Sequence, residues 1–217
     1  MINTTVDYIR NVDTFAAINY LCKQDDPFSI TSSFNDVVGH LYWEDKDLAG
    51  VVAMGRAGIQ YGLAASAEAE SINPKAVREI CLKVQALAFN VASYTWPGWE
   101  EAGIEPNPTD VALGYDAAKV GVRLVEEMEA EPIKFRRAFW MLGAHQLAAG
   151  KSARAEQSFS LSARYADESS AVPESLLART FGILARAQSD PAATNLVKEM
   201  EGIKAGLAEE EHGADFI

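Results

Sequence analysis

The residues able to do chemistry are few and scattered. Three histidines stand at positions 40, 145 and 212, and none falls in a His-Glu-x-x-His or comparable metal-binding spacing. His40 and Glu44 lie one helical turn apart, with Asp45 and Asp47 close by. That set could ligate a metal only with a further ligand from elsewhere, and a helix end carrying an ordinary charge pair is the plainer account. Glu126, Glu127, Glu129 and Glu131 form a run of carboxylates, but nothing apolar surrounds them to raise a pKa for acid–base work, so they read as a solvated face. Cys22 and Cys81 are far apart inside apolar helical patterns, which fits buried free thiols in a reducing compartment. No nucleophile elbow, phosphate-binding loop or dinucleotide-binding glycine pattern occurs. The sequence therefore nominates no catalytic residue, no metal and no cofactor, and an enzyme is not expected.

Charge narrows the partners. Lys and Arg total 19 against 31 Asp and Glu, a formal net charge of -12, so a nucleic-acid backbone would be repelled by most of the surface. No apolar run approaches the roughly 20 residues that cross a bilayer. Residues 1–10 carry Asp7 and lack the basic and apolar regions of a secretory signal, which points to a cytoplasmic protein with no membrane or nucleic-acid role.

The elements that must position any site are helices. Asn73-Pro74, Asn107-Pro108 and Asp190-Pro191 each place a capping side chain before a proline that suits the first helical turn. Glu131-Pro132 and Val172-Pro173 do the same with weaker caps, and Gly150-Lys151-Ser152 offers a left-handed stop followed by a new N-cap. Between these marks the apolar residues recur at helical spacing. Over 108–129, Val111, Tyr115, Ala118, Val122 and Val125 form one stripe while Leu113, Ala117, Val120 and Leu124 form another, so this helix must be covered on two sides. The reading is all-α: an N-terminal helix within 5–24, then antiparallel pairs at 33–44 with 47–66, 74–95 with 108–129, 132–149 with 152–168, and 173–188 with 191–205. They make one domain over 1–206, and 207–217, with Glu209, Glu210 and Glu211, reads as an acidic tail.

Phe139, Leu142, Gly143, Gly150, Ala155 and Phe159 follow the order and spacing of a tetratricopeptide repeat, and the segment from Phe139 to Tyr165 resembles that family. Gln146 replaces a family-like tyrosine and Asp167 the late proline. The resemblance has a physical core: Gly143 lets the two helices approach, Ala155 is the small residue facing it, and Phe139 and Phe159 fill the space between. Laying Gly39 over Gly143 aligns His40–Gly62 with Ala144–Ala166 without a gap. There the second helix carries Gly55, Gly58 and Gly62, each costing roughly 1 kcal/mol relative to Ala inside a helix, which implies that another helix crosses tightly.

The resemblance implies an α/α superhelix of about four pairs whose first helices line a concave groove. Carried onto the aligned positions, it nominates His40, Trp43, Gln85, Phe89, Asn90, Arg137 and Trp140, with Ala144, as groove residues for a protein or peptide partner. The family's clamp for a peptide terminus needs Asn, Lys and Arg at these places, and this chain does not supply that set. Trp96 and Trp99 flank Pro97-Gly98 in the one long connection. Their rings either fold back over helix surface or anchor a partner at the groove edge. Two rivals stand beside the interaction module: a helical enzyme or metal-dependent sensor using His40, Glu44 and His145, and a subunit that self-associates into a homo-oligomer through its small-residue faces.

Overall fold

A computed structural model describes residues 1–23, 26–69, 73–190 and 195–208. Among them the chain is helical throughout, with no strand. The helices are α1 (Ile2–Asn11), α2 (Thr14–Cys22), α3 (Pro27–Trp43), α4 (Leu48–Ala69), α5 (Pro74–Tyr94), α6 (Pro108–Glu127), α7 (Pro132–Ala148), α8 (Ser152–Glu168), α9 (Val172–Ser189) and α10 (Leu196–Ala208). The helices gather into two compact units, Met1–Leu124 and Val125–Ile217. Among the described residues no helix is long and apolar enough to cross a membrane.

Capping chemistry sets several of the boundaries, although α7, α8 and α9 begin with no side-chain cap hydrogen bond. Asn73 accepts a hydrogen bond from the Ala76 N–H, and Asn107 accepts from Thr109 and Asp110 while Asp110 accepts in return from the Asn107 N–H. These are helix starts of the expected kind. Gly150 is left-handed, at φ 68°. Ser152 is not the cap of α8, however: Lys151 holds that position and the Ser152 hydroxyl donates to Gln188 of α9.

Three further expectations change. The single N-terminal helix is two, because Asp13 turns extended and accepts from the Ala16 N–H. The helix expected from 33 begins at Pro27, where Asp26 caps the N–H groups of Phe28 and Ser29. Cys22 is exposed while Cys81 is buried. Cys22 ends α2, whose core-facing residues are Ala17 and Leu21, one turn apart. Pro191 and 209–217 lie outside the described residues, and of the expected tail Leu207 and Ala208 belong to α10.

In the first unit α4 runs antiparallel to α3 and α5. A Cβ on Gly58 would lie 2.6 Å from Phe34 Cβ and 2.7 Å from Leu87 Cδ2, while Val91 sits over Gly55 and Val84 over Gly62. The three glycines thus receive α3 on one side and α5 on the other, as their helix cost implied. The α3 and α5 helices lie side by side and parallel: Lys83 reaches over the Phe28 ring, Asn90 donates to Asn35, and Tyr94 stacks on Tyr42. The α1 helix runs parallel to α3 in turn, with Met1 at Ser33 and Arg10 at Asp45.

The second unit repeats the alternation. From α7 to α8, Ser162 donates to the Arg136 carbonyl and Ser158 to Gln146; from α8 to α9, Asp167 meets Arg179 and Glu156 meets Arg186. Both pairs are antiparallel. Between α7 and α9 the contacts are parallel, Arg136 with Glu174 and Trp140 with Phe181. The Phe159 ring of α8 lies 2.9 Å from a Cβ placed on Gly143. The α6 helix runs across the division of units, and both of its apolar stripes are represented among buried residues, by Ala118, Val122 and Val125 and by Ala117 and Leu124.

Candidate interaction surface

The aromatic residues at the C-terminal end of α3 alternate in exposure. Tyr42 is buried at 2% while its neighbour Trp43 is 54% exposed, so one anchors the helix and the other faces solvent. Tyr42 stacks on Tyr94 of α5 at 4.0 Å between centroids and 10° between planes. Trp43 meets both rings edge-on, at 4.8 Å and 6.0 Å, the arrangement that ring quadrupoles favour. Its indole N–H donates to the Tyr94 hydroxyl at 3.2 Å. Burial pushes the Tyr94 phenol above its ordinary pKa against the opposing effect of that bond. Tyr42 is pushed up too, first by burial and then by the Glu101 carboxylate and Tyr94.

Beyond the helix end the chain turns through Lys46, a left-handed residue at φ 52°, and Asp47 caps α4 by accepting from the Gly50 N–H at 2.9 Å. The Lys46 ammonium lies 5.7 Å from the Tyr42 ring centre and 5.4 Å from that of Trp43, within cation–π range. Glu101, from the α5–α6 connection, pairs with it at 2.8 Å. That connection begins with Trp96 and Trp99 packed edge to face at 4.9 Å. The Trp96 ring lies over Gly98, where a Cβ would collide with it. Trp99 donates its N–H to the Ser93 carbonyl at 2.9 Å and remains 49% exposed, while Trp96 is half-buried.

Trp43, Trp96 and Trp99 therefore gather at one end of the first unit, each of the two exposed indoles tied to the last turn of α5. Asn90 and Asn35 lie further down the same α3–α5 seam, and Phe89 is half-buried. Gln85 is 4% exposed and offers no surface. His40 faces α1 instead. It sits in a recess of about 390 Å³ lined by Asn3, Val6, Asp7, Arg10, Glu44 and Asp45, 3.9 Å from an Asp45 carboxylate that Arg10 already holds. Among the described residues no three His, Cys, Asp or Glu side chains are grouped to hold a metal.

Three nominated residues, Arg137, Trp140 and Ala144, belong to the second unit. Arg137 is exposed. Trp140 is half-buried in a ring cluster, 6.2 Å from Phe159 and 5.2 Å from Phe181, so it holds α7, α8 and α9 together rather than presenting an open face. Ala144 and His145 are fully buried, and His212 lies outside the described residues. A recess of about 490 Å³ between α8, α9 and α10 contains Arg179 and Arg186, but Asp167 neutralises the first and Glu156 and Glu199 the second.

Sequence reasoning missed Tyr42, Tyr94, Lys46 and Glu101. Tyr42 beside Trp43 gave a local signal, but the Lys46–Glu101 pair joins residues whose proximity depends on where the long connection folds. No protein-family model, curated protein or solved structure matches the chain.

Proposed function

We infer that this chain is a helical interaction module of tetratricopeptide type, that it binds a protein or peptide, and that it catalyses no reaction. The observation that carries the reading is the alternation found in each unit: a second helix antiparallel between two parallel neighbours, α4 between α3 and α5, and α8 between α7 and α9. Stacked helix pairs of this kind expose one face of their first helices, and such a face binds through anchors without reacting groups. In the first unit those helices are α1, α3 and α5, and the most exposed aromatic side chain on them is Trp43, with Trp99 beyond the end of α5.

The test is selection from a display library of random peptides against the full chain, followed by binding to a Trp43→Ala, Trp99→Ala double variant. Enriched peptides should bind the parent chain and lose about tenfold or more on the variant, while Glu68→Gln on α4 should leave them unaffected. Failure to enrich any peptide, or enrichment indifferent to both tryptophans, would remove the reading. Metal analysis addresses the rival: stoichiometric zinc, iron or manganese in protein purified without added metal would replace the module with a metal-dependent function.

A further inference from the structure

Lys46 shows what the aromatic end of the first unit accepts. Its ammonium occupies the space beside the Tyr42 and Trp43 rings and is held there by a carboxylate from the connection. Ring faces and acid together make a site for a cation, since the ring quadrupole and the full charge attract it from different directions. Only part of the surface is used in this way. Trp43 remains 54% and Trp99 49% exposed, and the indole N–H of each already has its acceptor, so what the exposed surface offers is ring.

The charges around these rings are not balanced. Glu100 follows Trp99 and Glu105 follows the buried Ile104; both glutamates are exposed, as is Glu44, which lines the recess beside α1. None makes an ion pair among the described residues. The connection passes against Lys46 at Gly103, whose Cβ position is 3.5 Å from the lysine stem, so Trp43, Lys46, Glu101 and Trp99 form one string of neighbours. Apolar surface alone would suit many peptides; exposed indoles set among uncompensated carboxylates suit a cationic one.

We propose that the end of the first unit formed by Trp43, Lys46, Trp99 and Glu101 is a docking site for a basic peptide segment, whose arginine side chains stack on the two exposed indoles while Glu100 and Glu105 pair with its charges. Arginine is preferred to lysine because a planar guanidinium stacks on a ring and still presents donors to a carboxylate. The proposal rests on the interaction-module reading and assigns its partner chemistry.

Fluorescein-labelled octapeptides of alternating arginine and glycine, lysine and glycine, and glutamate and glycine, with octaproline, are titrated with the full chain and followed by anisotropy. The arginine peptide should bind best and the glutamate peptide not at all, with affinity falling between about 50 and 200 mM salt. Trp43→Ala and Trp99→Ala should each weaken it about fivefold, and Trp43→Phe, which keeps a ring, by less than Trp43→Ala. Glu100→Gln with Glu105→Gln should weaken binding and flatten its salt dependence, whereas Glu68→Gln should change neither. Thermal melts confirm that each variant is folded. Arginine-peptide binding that survives both tryptophan substitutions would mean that the acidic surface at large captures it, and would overturn the proposal. So would octaproline binding as tightly in a tryptophan-dependent way, although the interaction module would then stand with a different ligand. Failure of every peptide overturns the basic-segment site and leaves the library selection to decide the module.

Discussion

The α3/α4 and α7/α8 pairs align with each other in sequence without a gap, yet they place their bulk on opposite helices. In α7/α8 the second helix supplies the large residue, Phe159, and the first supplies the small one, Gly143. In α3/α4 the first helix supplies Phe34 and the second supplies Gly58. Position 55, which aligns with Phe159, is itself a glycine and admits Val91 of α5. One arrangement closes a pair with the outer atoms of a ring, and the other presses branched and β-carbon atoms onto bare backbone. A similar overlay of sequence can thus be met by reversing which partner is large, provided the sum of volumes is kept.

Substitutions can break this comparison. Phe159→Ala should cost most, about 3–5 kcal/mol, because the ring is fully buried between α7 and α9 and its removal leaves a cavity. Urea unfolding followed by circular dichroism would read it as a lower midpoint at unchanged slope, and a loss below about 1 kcal/mol would show that Trp140 and Phe181 collapse into the space. Gly58→Ala should cost about 1–3 kcal/mol despite the better helix propensity of alanine, since the atoms it meets are Phe34 Cβ and Cγ and cannot swing away. Gly143→Ala should cost less than about 1 kcal/mol, because it meets only a ring edge at 2.9 Å. If the two glycine substitutions prove equal, the distinction between a stiff and a yielding neighbour fails.

Gly202→Ala is the control. Nothing lies within 4 Å of its Cβ position on α10, so it should gain about 0.5–1 kcal/mol from reduced freedom of the unfolded chain. The smallest effect sharpens the contrast through pH. Tyr42, Tyr61 and Tyr94, all in the first unit, are pushed above the ordinary value of about 10, in each case chiefly by burial. A phenol raised in the folded state favours folding below the unfolded value, and that contribution is lost as the pH climbs from about 10 through the folded value. Melting temperature should therefore hold up to pH 10 and decline above it, in step with tyrosinate absorbance. Tyr94→Phe should lose its share of that decline, read from the same melts.

The helices and several of their starts were legible because capping is local. Asn73, Asn107 and Gly150 act within a few residues of themselves, and the Gly55, Gly58 and Gly62 row declared a tight crossing through its own helix cost. Which helix crosses, and with which side chains, was not legible, since Val84, Val91 and Phe34 are ordinary apolar residues until the register is known. The surface was read in part. Trp43 and Trp99 stand exposed at the end where a partner could reach them, but Gln85 turned inward and Trp140 joined a core of rings. A transferred groove position gives the face of a helix only to within a residue or so, and one residue on a helix is about 100°. The alternatives for the tryptophan loop resolved into neither extreme: both rings contact each other and Trp99 folds back through its N–H, while half its surface stays open.

The fit of Val84 and Val91 over Gly62 and Gly55 also constrains how this chain can change over generations. Valine and glycine seven residues apart on both helices match like teeth, so a methyl gained at 62 has to be given up at 84, and one gained at 55 has to be given up at 91. Descendants that have drifted here should differ in pairs, small for large and large for small, with the single exchanges missing from the record because they do not survive long enough to be inherited.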